Sequence, residues 1–182
     1  MIRYPFITAA EDFADAAGAV IRPLFRSALL VEAKGDASPV TQADKDAEAA
    51  IRALIADRFP DHGVIGEEHG ADRPDAEWVW VLDPIDGTRA FVTGRPLFGC
   101  LIGLLHRGEP VLGIIDQPVT GERWVGVKGR RTRFRGPAGT VGCRPCATVA
   151  EAELSCTSPD MFTPADRPGF ERLRATARRV TW

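Results

Sequence analysis

The stretch Trp78-Val79-Trp80-Val81-Leu82-Asp83-Pro84-Ile85-Asp86-Gly87-Thr88 decides how this chain folds. Its first five residues form an uninterrupted apolar run, the pattern of a strand buried on both faces. Pro84 has no amide proton to give a ladder, so the strand is expected to end there. Two acids, Asp83 and Asp86, are then set at a strand end across a tight turn, and the Ile85 carbonyl, released from the ladder, can join them. Oxygen-only donors of this kind suit a hard cation such as Mg2+. A polar turn after a core strand would account for one Asp and for Gly87, but it leaves the second acid without a purpose. Gly87-Thr88 then precedes a short helical segment, Arg89-Ala90-Phe91-Val92. Free amides at a helix start, with a glycine that lets an anion approach, make phosphate the natural occupant of Gly87 and Thr88.

Upstream, Val64-Ile65-Gly66-Glu67-Glu68-His69-Gly70 brings two further carboxylates after another short apolar run. Taken alone, they could equally be a charged pair on a solvated loop. Before them, a helix is expected from about Thr41 to Phe59, with Ala47, Ala50, Ile51, Leu54 and Ile55 as its buried face. Asp44 lies within about 20° of Ile51 and Ile55 on that helix, in the middle of the apolar stripe. A buried carboxylate needs a partner, a metal or a catalytic task; the alternative is an acid that complements the helix dipole. An earlier helix is expected to begin at the capping-box pattern Thr8-Ala9-Ala10-Glu11 and to bury Phe13, Ala16, Ala17, Val20, Ile21, Leu24 and Phe25. Gly18 and Pro23 predict a weak point or kink in it.

Downstream, 12 of the 18 glycines fall between Gly87 and Gly142. They separate strand-like runs at Phe98 to His106, Val111 to Asp116, Arg123 to Val127 and Arg131 to Phe134, a spacing that predicts an antiparallel meander. After residue 147 the pattern changes. A strand at Leu154 to Thr157, a helix opening at Thr163-Pro164-Ala165-Asp166 and strand character at Val180-Thr181-Trp182 begin a βαβ unit. The expected organisation is a domain over 1–146, a helix pair packed on an antiparallel sheet, followed by an incomplete α/β domain over 147–182. The fold class is α+β.

The net charge of −2 gives no basic excess for a nucleic-acid or membrane surface, and 45% apolar with 26% charged residues is a globular composition. The amino terminus lacks a signal-peptide core and no stretch is apolar enough to span a membrane, so a cytoplasmic protein is expected. Cys100, Cys143, Cys146 and Cys156 should then stay reduced. Cys143-Arg144-Pro145-Cys146 has redox or zinc spacing but no second pair. Arg131, Arg133 and Arg135 alternate along one strand face, which suits a solvated edge better than RNA contact. A phosphatase of the haloacid-dehalogenase type would need Asp-x-Asp; here Pro84 and Ile85 both intervene.

Gly66-Glu67-Glu68 followed by Asp83-Pro84-Ile85-Asp86-Gly87-Thr88 resembles the signature of the inositol monophosphatase superfamily, Mg2+-dependent and Li+-sensitive phosphatases. The resemblance implies that family's sugar-phosphatase fold, with Glu67, Asp83, Asp86 and the Ile85 carbonyl binding two or three Mg2+ ions and Li+ inhibiting. It implies that Thr88 and Asp44, with Glu67, act on the nucleophilic water, and that Lys34 is a loop lysine near the site. Glu68 and Arg89 are further candidates for supporting or substrate contacts. Thr88-Arg89-Ala90-Phe91, Leu101 to Leu105, Gly113-Ile114-Ile115-Asp116-Gln117-Pro118 and Thr120-Gly121-Glu122-Arg123 are similar to the histidinol-phosphate phosphatase branch, which serves histidine biosynthesis.

The expected substrate is a small phosphorylated alcohol, histidinol phosphate first and an inositol phosphate or related sugar-alcohol phosphate second. No nucleic-acid or membrane partner is expected, and frequent dimers in the family extend to an expected homodimer. Since family members carry a second α/β domain, a different class stays open: a truncated chain that binds metal without turnover.

Overall fold

The computed structural model describes residues 4–27, 31–33, 39–137 and 142–182. They fall into two compact units, Met1–Thr140 and Val141–Trp182, so Cys143 to Cys146 belong with the second unit and not with the first domain.

In the first unit, helix α1 (Tyr4–Leu24) is followed by a short antiparallel pair, β1 (Val31–Ala33) and β2 (Pro39–Thr41), and by helix α2 (Gln42–Arg58). Seven strands then form one sheet: β3 (Gly63–Gly66), β4 (Gly70–Asp72), β5 (Trp78–Asp86), β6 (Gly99–His106), β7 (Glu109–Gln117), β8 (Glu122–Val127) and β9 (Arg133–Arg135). Between β5 and β6 lies the five-residue helix α3 (Thr88–Val92). The sheet order is β4-β3-β5-β6-β7-β8-β9. From β6 to β9 it is the expected antiparallel meander, which β5 extends by pairing antiparallel with β6, but β3 runs parallel to β5, so the sheet is mixed.

Helix α1 starts four residues before Thr8, where the capping-box pattern placed it. Pro5 is tolerated in a first helical turn. The extra turn buries Ile7 and sets Phe6 against Phe59, His62 and Trp78, contacts that reward the earlier start. Pro23 sits in the last turn, where little helix remains to break. Phe13, Ala17 and Ile21 of α1 join Ala47, Ile51 and Ile55 of α2 over one face of the sheet, where Trp80, Leu82, Ile102, Leu104, Leu112 and Ile114 point inward.

The apolar run of β5 is buried on both faces as expected only at its start, where Val79 is 3% exposed. Trp80 and Leu82 are covered by the helices, but Val81 is 36% exposed on the other side. Its neighbour in register on β6 is Gly103, which has no side chain to shield it. Arg133 and Arg135 are exposed, as a solvated edge requires, yet they also pair with Glu11 (3.2 Å) and Asp15 (3.6 Å) of α1. Cys100 is buried, which pushes its thiol pKa up, and Cys143, Cys146 and Cys156 are unpaired.

His62 belongs to this core. Its Nδ1 accepts the Trp80 indole N–H at 3.1 Å, and Phe59 stacks on the ring. Burial holds the imidazole pKa below 6.5, with Asp61 opposing and Arg73 assisting. The folded state thus binds the proton less well than the unfolded state, so this contribution to stability is intact above about pH 6.5 and declines as pH falls below it. Melting temperature should drop between about pH 7 and pH 5 more in the native sequence than in His62→Gln, which does not titrate. Equal acid sensitivity of the two would assign the effect elsewhere.

The second unit is a small βαβ arrangement. Strand β10 (Glu153–Ser155) pairs in parallel with β11 (Arg179–Thr181), and helix α4 (Arg167–Thr176) connects them. The helix opens at Arg167, with Pro168 in its first turn, and not at Pro164, because residues Thr163 to Asp166 form a turn closed by the Thr163 hydroxyl on the Asp166 carboxylate at 2.6 Å. Phe162 and Phe170 stack at 4.4 Å. No helix among the described residues is long and apolar enough to cross a membrane.

Candidate active site

Parallel pairing of β3 with β5 aligns Gly66 with Leu82, and the next amide, that of Glu67, donates to the Leu82 carbonyl at 3.2 Å. Two strands running the same way deliver their next residues to the same edge, so Glu67 lies beside Asp83. Their carboxyl groups hydrogen-bond to one another. Burial, followed by the charges of Glu67 and Asp86, raises the Asp83 pKa from 3.8 to about 7. Asp83 therefore keeps its proton to a higher pH than an isolated carboxyl would.

Strand β5 does not end at Pro84. It continues to Asp86 through a bulge: Asp83 pairs with Leu101 and Asp86 with Gly99, so three steps on β5 face two on β6. The extra residue removes the need for a ladder donor, which is why proline fits, and a bulge re-aims the side chains around it. Ile85 is buried, and its carbonyl accepts the Thr88 hydroxyl at 3.1 Å. Gly87 follows with φ 97°, where a Cβ would lie 2.9 Å from the Leu97 carbonyl oxygen. Only glycine suits this position, which turns the chain into α3 and sets Thr88 at its start.

Asp44 fulfils both readings of its place on α2. It is buried; one carboxylate oxygen (Oδ2) accepts the Thr41 amide at 2.9 Å and the Thr41 hydroxyl at 2.5 Å, which caps the helix. The other oxygen (Oδ1) faces the Thr88 hydroxyl at 3.5 Å. Helix α2 therefore brings a carboxylate to the bulge that carries Asp83 and Asp86.

Sequence reasoning missed Glu48, one turn beyond Asp44. It is fully buried; its Oε2 accepts the Glu68 amide at 2.8 Å, and its Oε1 accepts the His69 amide at 3.2 Å and the Arg52 Nε–H at 2.7 Å. The phase argument that singled out Asp44 applies equally to Glu48, which lies seven residues before Ile55 and so within about 20° of it. Glu68 is half-buried, Arg89 is exposed beside Thr88, and Lys34 lies outside the described residues.

Among the described residues, no three His, Cys, Asp or Glu side chains are already arranged to hold a metal ion. The donor chemistry nonetheless fits Mg2+. Glu67, Asp83, Asp86 and the Ile85 carbonyl offer oxygen alone, and the raised Asp83 pKa, to which the charges of Glu67 and Asp86 contribute, marks a place where positive charge is favoured.

The sequence model of the inositol monophosphatase family matches residues 3–167. The chain belongs to the inositol monophosphatase family. It is 44% identical over 171 residues to the bifunctional phosphatase IMPL2, chloroplastic, of Arabidopsis thaliana, a match covering 93% of this chain and 49% of that protein. It is 40% identical over 126 residues to a histidinol-phosphatase of Chlorobaculum parvum, covering 69% of this chain and 49% of the relative. Among solved structures, an inositol monophosphatase from Zymomonas mobilis superimposes with a TM-score of 0.82 at 46% identity, covering 97% of this chain and 67% of the other. This family member spans about half the length of the curated relatives it matches.

The residues similar to one branch of the family have structural work in the fold. Gln117 donates through Nε2 to the Pro96 and Phe98 carbonyls and accepts through Oε1 from the Val119 and Thr120 amides. Asp116 and Arg123 form a buried ion pair at 2.6 Å.

Proposed function

We propose that this domain is the metal-binding part of a Mg2+-dependent phosphate monoester hydrolase, with histidinol phosphate as substrate. The observation that carries the reading is the meeting of Glu67 with Asp83 beside the Asp44–Thr88 contact, joining clustered acids to a buried carboxylate and its hydroxyl. The sequence likeness around Asp116-Gln117-Pro118 and the histidinol-phosphatase relative support that substrate. An inositol phosphate is the second reading, supported by the Zymomonas mobilis structure.

Glu67, Asp83, Asp86 and the Ile85 carbonyl would hold the metal ions, and the carbonyl has a second lone pair beyond the one Thr88 uses. When bound, Mg2+ lowers the pKa of water and neutralises charge on the phosphoryl and leaving oxygens. The Thr88 hydroxyl has one proton, so in the relay it turns from the Ile85 carbonyl to Asp44 Oδ1, donating its own proton there as it takes one from the attacking water that it orients. Asp44 Oδ2 is committed to Thr41, which fixes the direction in which Oδ1 points. As the water oxygen bonds to phosphorus, the ester P–O bond breaks, the departing alkoxide takes up a proton from solvent water, and Asp44 returns the relayed proton to solvent. The Gly87 and Thr88 amides face the phosphoryl oxygens. Catalysis of this kind is positioning and charge stabilisation, with little covalent work for the protein.

Phosphate release from histidinol phosphate and from inositol 1-phosphate, with and without Mg2+, tests the reading. Mg2+-dependent release that favours histidinol phosphate is the expected result, and Li+ should suppress it. Preference for inositol 1-phosphate would select the second reading. Mg2+ binding with no release from either would make the chain a metal-binding, non-catalytic piece.

A further inference from the structure

Loop 66–70, which carries Glu67, is tied to successive turns of α2. The His69 ring nitrogen Nε2 meets the Lys45 carbonyl at 3.0 Å, the Glu48 carboxylate takes the Glu68 and His69 amides, and the Arg52 guanidinium reaches the Gly70 carbonyl. Gly66 makes room for this. A Cβ there would lie 1.9 Å from Glu48 Oε1, so the carboxylate occupies the volume that any other residue would fill. Glu48 is 0% exposed, and a carboxylate is buried at such cost only when its oxygens are satisfied, here by two amides and Arg52.

We propose that Glu48 is a positioning residue: it holds the Glu67–Glu68–His69 backbone against α2, and so sets the Glu67 carboxylate beside Asp83 for the cation. This rests on the Mg2+-dependent reading given above. The geometry makes α2 the common reference of the site. Asp44 addresses the Thr88 hydroxyl, and one turn later Glu48 addresses the loop that bears Glu67, so both halves are registered to one rigid element. Groups that orient metal ligands without touching the metal typically change metal affinity by about 10- to 100-fold when removed.

Three variants separate positioning from mere support of the fold. Glu48→Ala removes both acceptors. Glu48→Gln keeps one and should partly rescue. Gly66→Ala leaves Glu48 in place but drives its carboxylate off the loop amides. Ile51→Val, on the same helix but away from the loop, is the control for lost stability alone.

Two measurements on the full chain read the result: amide hydrogen exchange across residues 66–70 without metal, and Mg2+ affinity by calorimetry. Glu48→Ala and Gly66→Ala should lose protection at Glu68 and His69 and bind Mg2+ about 10- to 100-fold more weakly, with Glu48→Gln between them and the native sequence and Ile51→Val unchanged. Unchanged protection, or lost protection with native Mg2+ affinity, would overturn the proposal. If the native chain binds no Mg2+, the phosphatase reading fails; lost protection in the variants would still support the clamp, and retained protection would overturn it.

Discussion

Asp83→Asn is expected to abolish Mg2+-dependent phosphate release while making the metal-free domain more stable. Asp83 is central to the acid cluster: it hydrogen-bonds Glu67 and feels the charge of Asp86. Asparagine keeps the shape but gives up the charge that a hard cation requires. The loss in turnover should exceed the factor of about 10²–10³ that follows removal of a single electrostatic stabiliser, because the cation and its effect on water go together. The stability change has the opposite sign. Burial and like charges raise the Asp83 pKa from 3.8 to about 7, so the folded state keeps a proton that the unfolded state has released. Stability of the metal-free chain therefore falls as pH rises from about 4 to 7, and asparagine, which does not titrate, escapes that loss. Melting curves without metal should show the variant gaining on the native sequence as pH increases. Undiminished Mg2+-dependent turnover in the variant would sink the metal assignment.

Arg123→Leu should be among the most destabilising single changes in the first unit. The guanidinium is 3% exposed and binds Asp116 at 2.6 Å, Asp15 at 2.7 Å and the Glu11 carbonyl at 3.1 Å, joining β7 and β8 to helix α1. Removing it strands the Asp116 carboxylate, also 3% exposed, without its cation. Breaking a buried pair from one side costs about 3–5 kcal/mol, a large part of the roughly 5–15 kcal/mol that stabilises a domain. The double change Asp116→Asn with Arg123→Leu should recover part of the loss, since no buried charge is then left over. Denaturant unfolding provides the measurement. A loss below about 1 kcal/mol for Arg123→Leu would show that water reaches Asp116.

Sequence periodicity located α2 almost to the residue, because Thr41 caps it and the buried alanines and isoleucines recur at helical spacing. It misplaced the start of α1, where the contacts of Phe6 with Phe59, His62 and Trp78, distant in the chain, outweigh a local capping pattern. It also ended β5 too early, since a proline that forbids a regular ladder is accommodated by a bulge when the partner strand allows the slip. Arg123 was beyond its reach, because the three groups it binds come from two other elements.

By itself the sequence determined the local chemistry: Asp83, Ile85, Asp86, Gly87 and Thr88 are gathered by chain connectivity, and Asp44 stands out by helical phase alone. Only the tertiary structure decided that Glu67 meets Asp83, because an antiparallel β3 would have carried Glu67 to the opposite end of the sheet. It also decided that Asp44 faces Thr88, across 44 residues of chain. Contacts of that kind depend on register and on how a helix packs over the sheet, and these are fixed by burial of the whole core, not by any one segment.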